Sequence, residues 1–263
     1  MDLQLNGKKA FISGSTQGIG FAIAQQLLNE GVSVIINGRE TEKTNQAKAK
    51  LQEQFPAANI SAISADFSEK KDVEELLTQL NDIDILINNV GIFGVKDFEA
   101  ITDEEWYKYF EINVMSSIRL SRKLLPEMLK RKWGRIIFIS SESGVNIPKN
   151  MIHYGMTKSA MLAISNGLSK STKGTEVTVN TILGGPTYSD GVAMTIEQIA
   201  EVQNLDIELM KSEILKQTNP HILLGRFIHP SEIASLTAYL SSPLSLATNG
   251  ASVRADAGVL KTI

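Results

Sequence analysis

The chain contains no cysteine, which excludes disulfides, thiolate-ligated metal and thiol catalysis. Histidine is nearly as scarce. His153, His221 and His229 are the three, none in a His-Glu-x-x-His spacing, so no dedicated metal site is expected. No apolar run approaches the ~20 residues of a membrane-spanning helix. The N-terminus, Met1 to Lys8, has no positive segment followed by an apolar one; no signal peptide is expected, and a cytoplasmic protein is. A formal net charge of −3 offers no field to draw nucleic acid or an anionic membrane. The one dense basic cluster, Lys130-Arg131-Lys132 before Trp133, reads as a solvated helix end, where cations suit the negative end of the helix dipole.

What remains is ordinary globular composition, 43% hydrophobic and 21% charged over 263 residues. Short apolar runs alternate with amphipathic stretches. Strands are expected at Ala10–Ser13, Val32–Asn37, Ile60–Ala65, Ile83–Ile87, Arg135–Ser140, Val177–Leu183 and Ala251–Arg254. Their nearly unbroken Val and Ile content suits strands buried on both faces of a parallel sheet. Between them, Ile19, Ile23 and Leu27 follow a helical spacing that stops at Gly31, and Thr102 with Asp103-Glu104-Glu105 marks another helix start. The expected architecture is α/β: one Rossmann-like, doubly wound, seven-stranded parallel sheet with helices on both faces, filling residues 1–263 as a single domain. Residues 188–220 interrupt the alternation and read as a helical insertion able to form a substrate lid.

The first strand runs into Ser13-Gly14-Ser15-Thr16-Gln17-Gly18-Ile19-Gly20. Gly14 permits a tight turn, Gly18 a close backbone approach to a pyrophosphate, and Gly20 tight helix–sheet packing. The helix that follows offers unpaired N–H groups and a positive dipole end. The bland alternative is a turn that only eases a strand into a helix; its place in the first βα unit favours a dinucleotide site. At the end of the second strand, where an acid would bind the adenosine ribose 2′-hydroxyl, the chain has Gly38 and then Arg39. An arginine there accommodates a 2′-phosphate, which favours NADP(H) over NAD(H), although Glu40 adjoins it.

Tyr154 and Lys158 are four residues apart, one turn above each other on a helix face. An ammonium beside a phenol favours the phenolate, so Tyr154 is expected to titrate below its ordinary value of about 10 and to serve as a proton donor and acceptor. Ser140 and Ser141 end the fifth strand, Ser141 lying thirteen positions before Tyr154. Taken together with the Gly14/Gly18/Gly20 turn, Asp66, Asn88-Asn89-Val90-Gly91, Asn113 and Asn180, these residues resemble, in order and over essentially the whole chain, a classical short-chain dehydrogenase/reductase.

That resemblance implies an oxidoreductase moving hydride between NADP(H) and a ketone or secondary alcohol. Tyr154 would be the general acid/base. Lys158 would lower its pKa and hold the nicotinamide ribose. Ser141 would bind the substrate oxygen, and Asn113 would hold a water in a proton relay. Asn113 has a plainer reading as a bridge between backbone groups at a helix irregularity, and either serine could simply satisfy the strand end. Cofactor contacts are implied for Gly14, Ser15, Gln17, Gly18, Ile19, Gly20, Arg39, Asp66, Phe67, Asn89, Val90, Gly91, Tyr154, Lys158, Gly185 and Thr187. Val90 stands where the family usually has alanine and Gly184 where it usually has proline. A small-molecule substrate and a homo-oligomer, dimer or tetramer, are implied as well, with Ala160, Ala163 and Gly167 suited to close helix packing. Competing readings are a non-catalytic dinucleotide sensor or scaffold and, among enzymes, a 3-oxoacyl-carrier-protein reductase.

Overall fold

The fold was analysed in a computed structural model that describes residues 1–261. Seven parallel strands form one sheet: β1 (Lys9–Ile12), β2 (Ser33–Gly38), β3 (Ile60–Ser64), β4 (Ile85–Asn88), β5 (Trp133–Ser141), β6 (Glu176–Gly184) and β7 (Ser252–Ala255). Their order across the sheet is β3-β2-β1-β4-β5-β6-β7. The order reverses between β1 and β4, and such reversals are where open α/β sheets bind ligands, beyond the strands' carboxyl ends. Every expected strand is present. β5 and β6 begin one or two residues earlier and end one later than their apolar runs, because Trp133 pairs with Glu176 and Ser141 with Gly184.

Alternate strand residues point to opposite faces. Ala10, Ile12, Ile36 and Ile87 pack with α1 (Gly18–Asn29) and α9 (Pro230–Ser241), whereas Phe11, Ile35, Leu86 and Phe138 pack with α3 (Lys70–Gln79), α5 (Ser116–Arg131) and α6 (Ile152–Ser169). Each fully buried aliphatic side chain contributes about 1.5–3 kcal/mol relative to exposure, so the sheet is covered on both faces. α2 (Thr41–Gln54) contributes Ala47 and Leu51 to the first of these layers.

α4 (Asp103–Phe110) opens as expected: Thr102 accepts from the Glu105 N–H at 3.3 Å and the Glu105 carboxylate accepts from the Thr102 N–H at 3.0 Å. α4 runs into α5 through a π-helical segment, Glu111–Met115. α5 ends with Lys132 in the left-handed conformation, φ 58°. Arg131 there donates to the Ile83 carbonyl at 2.6 Å and lies 3.6 Å from both Asp82 and Asp84. The basic cluster is therefore a helix end with acidic neighbours. Arg135, expected only to begin a strand, is fully buried and donates to the carbonyls of Gly134, Glu176 and Ser242, tying β5 to the end of α9.

The insertion folds as α7 (Asp190–Gln203) and α8 (Ile207–Thr218). Ile196, Ala200, Met210, Leu215 and Phe227 give it a small core of its own. Among the described residues no helix is long and apolar enough to cross a membrane, and no cluster of His, Asp and Glu could hold a metal ion.

Candidate active site

The turn after β1 owes its shape to its glycines. Gly14 and Gly18 hold φ of 61° and 59°, a region L-residues rarely adopt. A Cβ on Gly20 would lie 2.4 Å from the Gly14 carbonyl oxygen. Asn37 braces the turn by accepting from the Gly14 N–H at 3.1 Å, and Asn89 donates to the Ser13 and Gly14 carbonyls at 3.0 and 2.7 Å.

Around this turn lies a cavity of about 400 Å³. Of the residues expected to hold a cofactor, Gly14, Gln17, Gly18, Ile19, Gly20, Arg39, Asp66, Phe67, Asn89, Val90 and Gly91 line it. Ser15 does not. It is fully buried, donating to the Ile12 carbonyl at 2.7 Å and accepting from the Asn37 N–H at 2.9 Å. Gly185 packs on Asp256, where a Cβ would meet the backbone oxygen at 2.7 Å, and Thr187 donates to the Gly185 carbonyl at 2.9 Å. Both shape the end of β6 and lie outside the cavity lining.

At the adenosine end, the exposed Arg39 guanidinium lies 3.7 Å from Glu40 and 3.9 Å from Asp66. Lys43 also lines the cavity, a second cation that the reading of the β2 end missed because it sits one turn into α2. Asp66 accepts from the backbone N–H and the hydroxyl of Ser68 at 2.8 and 2.7 Å, so part of its carboxylate closes the following turn.

Gly91 links the cavity to the proposed chemistry. A Cβ there would meet the Asn113 Oδ1 at 3.4 Å and the Lys158 Nζ at 3.6 Å. Asn113 lies in the π-helical segment. Its amide accepts from the Ile92 N–H at 2.7 Å and donates to the Ile92 carbonyl at 2.9 Å and to the Thr157 hydroxyl at 3.0 Å. The bridging role at a helix irregularity therefore occupies both amide hydrogens and one lone pair of the oxygen, the other lone pair keeping its acceptor capacity. Ser140 donates to the Lys158 carbonyl at 3.0 Å, which leaves Ser141 as the serine whose hydroxyl is close to Tyr154.

The expected depression of the Tyr154 pKa is overturned. Burial drives it above the ordinary phenol range, Glu142 adds to the rise, and the nearby Ser141 hydroxyl opposes it. Lys158 cannot compensate, since its Nζ is 5.6 Å from the ring centroid and its own burial lowers it to about 8. Burial disfavours the charged form of each partner. Tyr154 is therefore held as a neutral phenol.

Glu142, which the sequence reading passed over, is the unforeseen member. Burial raises its pKa, and its carboxylate accepts from Ser141 and, at 3.1 Å, from Ser143. An acid directly after the serine pair was the available signal. Phe93 packs edge-on against the Tyr154 ring at 6.3 Å.

Comparison with known proteins places this arrangement. The family model for short chain dehydrogenase matches residues 8–200. The chain is 41% identical over its whole length to an uncharacterized oxidoreductase, YvaG, of Bacillus subtilis, of which it covers 100%. It is 30% identical to a D-beta-hydroxybutyrate dehydrogenase of Cupriavidus necator, covering 97% of this chain and 98% of that one. Among solved structures, L-sorbose reductase from Gluconobacter frateurii, complexed with NADPH and L-sorbose, superposes with a TM-score of 0.93 over 100% of both chains at 28% identity. The chain belongs to the short-chain dehydrogenase/reductase family. It is an NAD(P)-binding oxidoreductase of the class acting on CH–OH and C=O groups.

The Lys158 shift has a consequence for stability. The unfolded side chain keeps its proton to about 10.5 and the folded one releases it near 8. Between these values the unfolded chain binds more protons, so folding stability rises with pH. The melting temperature of the wild type should climb between pH 8 and 10 relative to that of Lys158→Met. A constant gap between the two proteins across that range would refute the assignment.

Proposed function

We propose that the chain is an NADP(H)-dependent ketone reductase in which Tyr154 protonates the substrate oxygen. The observation that carries this reading is that Tyr154, with Ser141 close by, packs on Phe93 while the buried Lys158 Nζ lies beside Gly91, Phe93 and Gly91 both lining the glycine-rich cavity. Gly14, Gly18 and Gly20 put no side chain of their own between the backbone of the turn and a dinucleotide. Bound there, the nicotinamide would supply the hydride. The chain's own work is acid–base and electrostatic. Tyr154 keeps its proton until charge develops on the substrate oxygen, Ser141 offers that oxygen a hydrogen bond, and Lys158 carries positive charge near the phenol below about pH 8. A sensor or scaffold would have no use for this set.

Arg39, with Lys43 one turn on, supports NADP(H), since both line the cavity beyond the β2 end, where a 2′-phosphate would take them from Glu40, their present partner at 3.7 and 2.9 Å. NADPH should bind at least tenfold tighter than NADH by fluorescence titration; equal affinity removes this argument. Tyr154→Phe should lower kcat for NADPH-driven ketone reduction by roughly 10²-fold or more with NADPH affinity retained. Full activity in that variant would refute the mechanism.

The insertion at residues 188–220 serves in this reading as the lid. α1 has no side-chain cap of its own and no acid in its first turn. The Asp190 carboxylate, arriving from the start of α7, accepts from the Gly18 N–H at 2.5 Å. It stands where the helix terminus would otherwise meet a phosphate, so dinucleotide binding requires α7 to withdraw it. Asp190→Asn should therefore bind NADPH several-fold tighter than the wild type. Weaker binding would instead make Asp190 part of the bound state. The homo-oligomer expectation extends to the surface, where Ala163 and Gly167 are exposed on α6 and so do not serve the internal core.

A further inference from the structure

Glu142 is held by its neighbours on both sides. It opens a short 3-10 turn, Glu142–Gly144, that packs on α6. A Cβ on Gly144 would lie 2.9 Å from the Lys158 backbone carbon, and the Ser159 hydroxyl donates to the Gly144 carbonyl at 2.6 Å. The carboxylate is thus fixed against Ser141 and accepts from both flanking hydroxyls. Ser141 also accepts from the Ser143 N–H at 3.1 Å.

This arrangement raises a problem of hydrogen supply. A serine hydroxyl has one hydrogen, and Ser141 spends it on Glu142. Ser141 cannot donate to a ketone oxygen without leaving the carboxylate, and a buried carboxylate that loses a donor is costly. The conflict is resolved by a substrate that brings its own donor beside the carbonyl. A hydroxyl on the adjacent carbon would take the place of the serine hydrogen on Glu142 while Ser141 turns to the carbonyl oxygen. A methylene at that position leaves one carboxylate oxygen without the hydrogen that Ser141 gave it, Ser143 still donating to the other, and a carboxylate there meets like charge.

We propose that Glu142 is a substrate-binding carboxylate that selects ketones bearing a hydroxyl on the carbon next to the carbonyl. This rests on the ketone-reductase reading and deepens it by naming the substrate class. No proton changes hands at Glu142; the substrate hydroxyl donates a hydrogen bond and keeps its hydrogen. Sites built to bind a hydroxyl discriminate far more strongly against analogues lacking it than apolar pockets discriminate by size.

The test uses hydroxyacetone and butan-2-one, which differ by a hydroxyl in place of a methyl, and pyruvate as the anionic counterpart. Binding is read by saturation-transfer NMR on the Tyr154→Phe protein with NADPH, which separates recognition from turnover. Hydroxyacetone should bind at least tenfold tighter than butan-2-one. In Tyr154→Phe/Glu142→Leu the ratio should fall to about one, with the isosteric Glu142→Gln in between and NADPH affinity within twofold throughout. Equal binding of the two ketones, a ratio unmoved by Glu142→Leu, or tighter binding of pyruvate overturns the proposal. Turnover by the wild type is scored separately. Selective binding of hydroxyacetone without its reduction upholds Glu142 and sinks the reductase reading, whereas equally efficient reduction of both neutral ketones sinks Glu142 alone.

Discussion

The buried ammonium of Lys158 is the constraint around which the rest of the site is arranged. A lysine enters a protein interior only when its donors and its backbone are both provided for. Here the Ile139 carbonyl at the end of β5 accepts from Nζ at 2.9 Å, and Ser140, the next residue, donates to the Lys158 carbonyl. Gly91 and Gly144 are bare on the sides where a Cβ would approach this residue. Thr157, its neighbour in sequence, is tied through Asn113 to Ile92. The ends of β4 and β5, the π-helical segment and α6 are thereby fastened together around one side chain. Tyr154, one turn earlier on α6, takes its position from that fastening.

Much of this was legible in the sequence. The seven strands announced themselves by β-branched runs, because burial on both faces leaves no polar residue to blur the pattern. The glycines of the nucleotide turn were legible because backbone geometry admits few other residues there. What escaped depends on depth and not on pattern. Lys158 beside Tyr154 reads as a charge lowering a phenol pKa only if both stay hydrated. Enclosure reverses the sign for the phenol and lowers the lysine too. Ser15 looked like its neighbours in the turn but faces the sheet interior. Arg135 looked like a strand boundary and is a buried fastening. Glu142 carried no periodicity, and its place directly after the serine pair was the one hint that its carboxylate lies against Ser141.

Two carboxylates thus mark the two ends of the site, and each sits where the family's chemistry has a use for a hydrogen-bond donor. Asp190 occupies the N–H of Gly18 at the phosphate end, and Glu142 occupies the hydroxyl of Ser141 at the carbonyl end. Each satisfies a donor in this structure.

The π-helical segment Glu111–Met115 carries a different kind of consequence. One residue more than an α-helical turn accommodates is stored there, and it turns everything after it by about 100° relative to everything before it. α4 and α5 are therefore two helices in orientation while remaining one rod in connection. Loss of a single residue would restore an unbroken helix, rotate the buried stripe of α5 away from the sheet and carry Asn113 off Ile92. The segment therefore acts as a phase marker, setting by its length how α5 faces the sheet relative to α4.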